Sequence, residues 1–211
     1  MFILKNISLS FYLFTFVLLI FSFFTFVHAE TIKEETLIYR GNIAFDQKTD
    51  ELISGIVIEK YENDENKKKG EYIEGLKEGI WKEFYETGQL MSSRTFLNGK
   101  QDGPFELYFD DGKLKAVGFY KKDAEHGNWQ ELSQNGNFLY IGNYSEGDLE
   151  GRWQLFHQNG RLSSMGIFKN NLKEGLWEYF DLNGNLFETK IFKDDVLIQC
   201  DGICKEIKKK K

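Results

Sequence analysis

Proline is almost absent from this chain: Pro104 is the only one in 211 residues, against 20 glycines. With so little proline nothing forbids strand pairing, and the glycines offer many places to reverse direction. Cysteine is nearly missing as well. Cys200 and Cys204 stand alone near the C-terminus, so no disulfide framework replaces a core. Histidine occurs at His28, His126 and His157 only, and none sits in a motif with a nucleophile or at metal-ligand spacing. Positive charge does not dominate. The 27 Lys and Arg against 33 Asp and Glu leave a net charge of −6, which argues against a nucleic-acid backbone as the main ligand. What the chain has is rings: aromatics make up 16% of it, with 20 Phe and 10 Tyr, a composition suited to paired strands.

The first 29 residues are of another kind. Lys5 precedes an uncharged stretch from about Ile7 to Val27, rich in Phe and Leu, which ends in Val27-His28-Ala29. This reads as a signal peptide, helical while it lasts, with Glu30 opening the mature chain. The stretch is also long enough to span a bilayer, so a membrane anchor over residues 7–27 is the competing reading. Either way the remainder is expected outside the membrane, periplasmic or extracellular.

Glycine recurs with a fixed period. Gly55, Gly79, Gly103, Gly127, Gly151 and Gly175 are each 24 residues apart, a pattern that chance would give on the order of once in a million at average glycine usage. Two residues after each come Val57, Trp81, Phe105, Trp129, Trp153 and Trp177, and five after come Lys60, Phe84, Tyr108, Leu132, Phe156 and Phe180. Seventeen after, every copy has a ring: Tyr72, Phe96, Tyr120, Tyr144, Phe168 and Phe192. The first unit is the most degenerate, as an end unit is expected to be.

Two turns punctuate each unit. Gly88, Gly112, Gly136, Gly160 and Gly184 follow Thr87, Asp111, Asn135, Asn159 and Asn183. These pairs predict tight type I′ hairpins, which need positive φ at two successive residues. A second turn falls at Gly75, Gly99, Asp123, Gly147, Asn171 and Asp195, all residue types that enter the left-handed region at low cost. In the second strand glycine returns at Gly70, Gly118, Gly142 and Gly166, which points to close approach of something bulky such as a neighbouring Trp. In the first strand the second and fifth residues have opposite parity, so either a bulge restores one face or both faces carry apolar groups.

The expectation is therefore an all-β chain: a single elongated antiparallel meander of twelve short strands, roughly 55 Å long at the usual strand spacing. Its organisation reads as a leader over 1–29, an N-terminal cap over 30–54 with a strand pair near Leu37-Ile38-Tyr39, six repeats over 55–198, and a cap with a Lys-rich tail over 199–211.

At these residues the chain resembles the MORN-variant repeat family, whose pattern is roughly G-x-W-x-x-Y/F-x-x-N-G-x-L, then an aromatic, then N-G-K-x-x-G. Gly151, Trp153, Phe156, Asn159, Gly160, Leu162, Phe168 and Asn171 match it, as does the stretch from Gly79 to Gly99. The resemblance covers about residues 52–195. It implies a binding or scaffold module with a protein partner, and many bacterial members carry antitoxin-like labels, which adds an inhibitor of a protein toxin as an alternative. Catalytic domains found on longer relatives are not carried over, so no enzyme is expected.

Two rows of rings are the candidate binding residues: Trp81, Phe105, Trp129, Trp153 and Trp177, and Phe84, Tyr108, Phe156 and Phe180. Either both rows are core, or one is partly exposed and grips a partner. Cys200 and Cys204 are a candidate local disulfide. The carboxylates before the repeat glycines, Glu78, Glu150 and Glu174, recur for structural rather than catalytic reasons. Asp181-Leu182-Asn183-Gly184-Asn185 lacks the closing glutamate of a calcium loop, so neither metal nor cofactor is expected. The tail Lys208 to Lys211 leaves an anionic membrane surface as a further possible partner.

Overall fold

A computed structural model describes residues 31–203. The expected signal helix, Cys204 and the lysine tail lie outside the described residues. Apart from one 3-10 turn at Glu34–Thr36, the described chain has only strands as its regular elements. It runs β1 Thr31–Lys33, β2 Leu37–Arg40, β3 Ile43–Asp46, β4 Gly55–Lys60, β5 Asn66–Ile73, β6 Leu76–Phe84, β7 Leu90–Leu97, β8 Lys100–Tyr108 and β9 Leu114–Lys121. It continues with β10 Ala124–Leu132, β11 Phe138–Ser145, β12 Asp148–Leu149, β13 Gly151–Phe156, β14 Leu162–Lys169, β15 Leu172–Phe180, β16 Leu186–Lys193 and β17 Val196–Gly202.

Fifteen of these strands form one sheet, in which each strand from β4 onward pairs with the next and β12 pairs only with β11. The sheet is mixed rather than purely antiparallel, because β1 joins β4 in parallel, with Thr31 opposite Ile56 and Lys33 opposite Ile58. Parallel neighbours need a crossover of a dozen or more residues, and residues 34–54 supply it. That crossover contains the separate β2–β3 hairpin, which is the strand pair expected near Leu37.

Each repeat unit is one hairpin with a bulge. The register slips at Glu59/Lys60, Glu83/Phe84, Leu107/Tyr108, Glu131/Leu132, Leu155/Phe156 and Tyr179/Phe180. A bulge at the same place in all six units explains the parity conflict in the first strand. A wider slip lies between units. Going from His126 to Gln130 on β10, the partner strand moves only from Phe119 to Val117, so the chain arches outward at Gly127. The glycine there has φ +69°, a conformation that side-chain-bearing residues seldom take. The 24-residue glycine is thus the foot of an arch that lifts the next Trp above the neighbouring strand.

The second turn takes the left-handed conformation expected of it, with Gly75, Gly99, Asp123, Gly147, Asn171 and Asp195 all at positive φ, but the first is not the type I′ turn expected from the sequence. At the first turn of units 2 to 6 only the glycine of the pair has positive φ, between 81° and 86°. In the second unit Tyr85 N–H donates to Gln89 O and Gly88 N–H to Tyr85 O, each at 2.8 Å. This is a type I turn followed by a left-handed glycine, a three-residue loop rather than type I′. The side chain before the glycine favours it: Asn159 Oδ1 accepts from Arg161 N–H at 3.0 Å, and Asp111 Oδ1 from Lys113 N–H at 3.1 Å. Type I′ geometry appears instead at the second turn, where Glu74, Asn98, Lys122, Glu146, Asn170 and Asp194 all join their successors at positive φ. These turns stack. The N–H groups of Gly99, Asp123, Gly147, Asn171 and Asp195 donate to carbonyls of Lys77, Gln101, Glu125, Leu149 and Lys173 in the preceding unit, at 2.8–3.1 Å.

Candidate functional site

All the repeat tryptophans point to one face, and they are buried: Trp81 is 3% exposed, Trp129 6%, Trp153 5%, Trp177 0%, and Phe105, in the same column, 7%. Each indole lies over the glycine of the preceding unit, Trp81 on Gly70, Trp129 on Gly118, Trp153 on Gly142 and Trp177 on Gly166, so closely that a Cβ there would overlap the ring. Each Nε1 donates to a carbonyl of that same preceding strand: Glu71, Phe119, Asn143 and Ile167, at 3.1–3.2 Å. The exception follows the same logic. Where the glycine column holds Arg94, the following unit has Phe105, and the guanidinium lies 5.7 Å above that ring.

The rings at the seventeenth position stand edge-on between successive tryptophans. Tyr144 meets Trp129 at 5.9 Å and Trp153 at 5.2 Å, and Phe168 meets Trp153 at 5.8 Å and Trp177 at 5.0 Å. Such pairs add about 0.5–1.5 kcal/mol each beyond simple burial. The row expected as a possible grip is therefore the core, and its faces are already taken. The second row, Phe84, Tyr108, Phe156 and Phe180, is half-buried at the bulges; Phe156 packs against Phe138 at 5.8 Å.

The ring face is also where titration is most perturbed. Burial pushes the phenols of Tyr72, Tyr120, Tyr140, Tyr144 and Tyr179 upward. Lys77 Nζ lies 4.5 Å from the Trp81 ring centre and Lys173 Nζ 4.4 Å from that of Trp177. Desolvation holds both ammonium groups below the usual lysine range.

The opposite face of the same sheet is open. Ile80 is 60% exposed, Leu176 52%, Ile167 48%, Phe119 39% and Ile191 36%. They stand one and sixteen residues after the repeat glycines, with Leu176 directly opposite Ile191 and Phe119 opposite Pro104. Sequence reasoning missed this row. Its two columns also hold Glu71, Thr95, Asn128, Asn143 and Arg152, so no repeat signal marks it; parity relative to the Trp column was the available clue.

The remaining candidates take structural places. His157 is half-buried, and its Nε2 donates to Phe180 O of the next unit at 2.9 Å. It occupies the column in which Tyr61 and Tyr85 hydroxyls donate to Phe84 O and Tyr108 O, each at 2.8 Å. The carboxylates before the repeat glycines cap the stacked turns, with Glu78 accepting from Asn98 N–H at 2.8 Å, Glu150 from Asn170 N–H at 3.1 Å and Glu174 from Asp194 N–H at 3.2 Å. Cys200 lies on β17, its Sγ 3.6 Å from Glu188 Oε1; the expected partner, Cys204, is outside the described residues. Among the described residues no group of three or more His, Cys, Asp or Glu is placed to hold a metal, and no helix is long and apolar enough to cross a membrane.

A run of hairpins in one sheet, each lending its indole to the strand before it, defines an open β-repeat protein stabilised between nearest neighbours. The chain carries repeats of the MORN-variant family: the MORN repeat variant matches residues 77–98, 101–122, 149–170 and 173–194. The curated proteins contain no match to it. Among solved structures it is similar to the crystal structure of TarM, at 18% identity and a TM-score of 0.28, over 46% of this chain and 20% of that one. A mutant of S. aureus TarM in complex with fondaparinux, alpha-GlcNAc-glycerol and UDP matches at 17% identity and TM-score 0.28, over 45% and 20%. The chain thus spans about a fifth of those proteins, and likeness at this level carries no argument about function.

Proposed function

We propose that this chain is an exported, non-enzymatic repeat protein that acts as a protein–protein interaction or scaffold module and holds its partner on the open face of the sheet. One observation carries the reading: the rings are consumed inside, whereas Ile80, Phe119, Ile167, Leu176 and Ile191 stand exposed along the other face. Exposed apolar rows of this kind are where partners bind. The family supports it too, since such repeats generally serve interactions. Export rests on the apolar leader and its Val27-His28-Ala29 end. The enzymatic reading has nothing comparable, because His126 and His157 lie 31 residues apart and His157 is engaged by a backbone carbonyl.

The test is a cross-linking pull-down from the native envelope with the parent protein and an Ile167→Lys/Leu176→Lys variant. The parent is expected to capture a protein that the variant loses at an unchanged melting temperature. Equal capture by both overturns the assignment of this face.

A second reading, attachment to an anionic membrane surface, has its own observation. Leu182, Leu186, Phe187, Val196, Ile198 and Ile203 are all exposed at the C-terminal end, and five lysines follow within residues 204–211. Lysines near such a surface contribute about 1 kcal/mol each. Co-sedimentation with anionic liposomes that disappears on removal of residues 204–211 is the result this reading requires.

A further inference from the structure

We propose that a groove between β5 and β6 on the open face binds an extended peptide strand carrying one acidic and one basic side chain two residues apart. This deepens the reading of the open face as an interaction surface and rests on it. Lys69 stands directly opposite Lys82, and Glu71 directly opposite Glu78. Like charges opposed across a strand pair are destabilising, and here two such pairs of contrary sign sit side by side.

The fold does not demand them. At equivalent places in later units Ser93 faces Glu106, Val117 faces Gln130 and Met165 faces Glu178, while Phe119 faces His126 and Ile167 faces Glu174. Nor are the charges neutralised locally. Lys67 and Lys68 both pair with Glu59, but among the described residues Lys69, Lys82 and Glu71 form no ion pair, and Glu78 spends one oxygen on Asn98 N–H. Between the two pairs the arch at Gly79 opens a groove of about 340 Å³, lined by Ile56, Ile80 and Gly70 along with the four charged residues.

The geometry selects the ligand. Lys69 and Glu71 are two residues apart on one strand, roughly 6.6 Å. A second extended chain repeats that spacing between side chains on its own face, so it can set a carboxylate on the lysine pair and an ammonium on the glutamate pair. The methylene stems of those two side chains then cover Ile80 and Ile56. The groove is shallow, with Lys69, Glu71, Ile80 and Lys82 all exposed, whereas sites for free small molecules enclose most of the ligand. A peptide segment fits; a free zwitterion does not.

The test uses the purified protein and short labelled Thr/Val peptides with a central Glu-Val-Lys, Glu-Val-Glu or Lys-Val-Lys, read by fluorescence anisotropy. The mixed-charge peptide is expected to bind about tenfold tighter than either like-charged one. Lys82→Glu, which sets opposite charges across from each other at Lys69, is expected to raise the melting temperature and to abolish that preference. Loss of binding in a more stable protein cannot be unfolding. Equal binding of the three peptides, an unchanged preference in Lys82→Glu, or displacement by free lysine at similar affinity each overturns the proposal. A pull-down partner that still depends on Ile167 and Leu176 alongside such a failure would remove the groove assignment alone and leave the open-face reading standing.

Discussion

The indole of Trp153 rests flat on the backbone of Gly142 and donates from Nε1 to the next carbonyl, that of Asn143, at 3.1 Å. This contact joins one unit to the next, and it has no room for a methyl group.

Gly142→Ala is therefore expected to destabilise strongly, by roughly 1–3 kcal/mol or more, the range for forcing extra atoms into a filled core. Urea denaturation measures it. Adding Trp153→Phe should return part of the loss, since Phe105 already replaces the indole where Arg94 replaces the glycine. No recovery in the double variant would mean that the clash is not the cause.

Gly160→Val is expected to cost more than about 1 kcal/mol, because a β-branched residue does not take φ +81° easily and its Cβ would meet Asn137 Oδ1 at 2.8 Å. Gly160→Asp should cost less, as Asp64 holds the same turn position at φ +71°. Equal melting temperatures for the Val variant and the parent would reject the turn assignment.

Alkaline solution should unfold the sheet in one cooperative step. The raised phenols of Tyr39, Tyr72, Tyr120, Tyr140, Tyr144 and Tyr179 ionise more readily when unfolded, so their contribution is complete below pH 10.0 and is lost as pH climbs toward their folded values. Lys77 and Lys173 act in the other sense. Their folded values lie below 10.5, so stability from them rises with pH up to that value. Six groups outweigh two, and the urea midpoint should fall above pH 10.0 in step with tyrosinate absorbance. Free titration of Tyr72, Tyr120, Tyr140, Tyr144 and Tyr179 while the fold persists would contradict their burial.

Acid should loosen the hairpin turns. Backbone N–H groups of Asn185 and Asn183 hold Asp181 below its ordinary value of 3.8, and the Lys113 ammonium and N–H do the same for Asp111. Both contributions are fully present above pH 3.8 and disappear as pH falls through the folded values. Asp181→Ala should lower the melting temperature at pH 7 and weaken its fall in acid; an unaltered acid limb would show that this turn is not titrating.

Period, strand content and turn positions were legible in the amino-acid sequence, because a backbone that reverses at fixed intervals must put Gly, Asn or Asp there whatever surrounds it. The match of glycine to a following Trp was legible too: Gly70, Gly118, Gly142 and Gly166 each precede one, whereas Arg94 precedes Phe105. Turn types were not, since Asn-Gly tolerates both geometries and the loop length that chooses between them depends on which residues pair across it. The parallel docking of β1 and the cap formed by Ala44 and Ile53 over Tyr72 and Trp81 were equally out of reach, being contacts between segments with no shared pattern. Only the tertiary structure decided which face stays open. Burial of a ring depends on the strand that the arch lifts it over, and the row at Ile80, Phe119, Ile167, Leu176 and Ile191 is exposed because, among the described residues, no second layer covers that side.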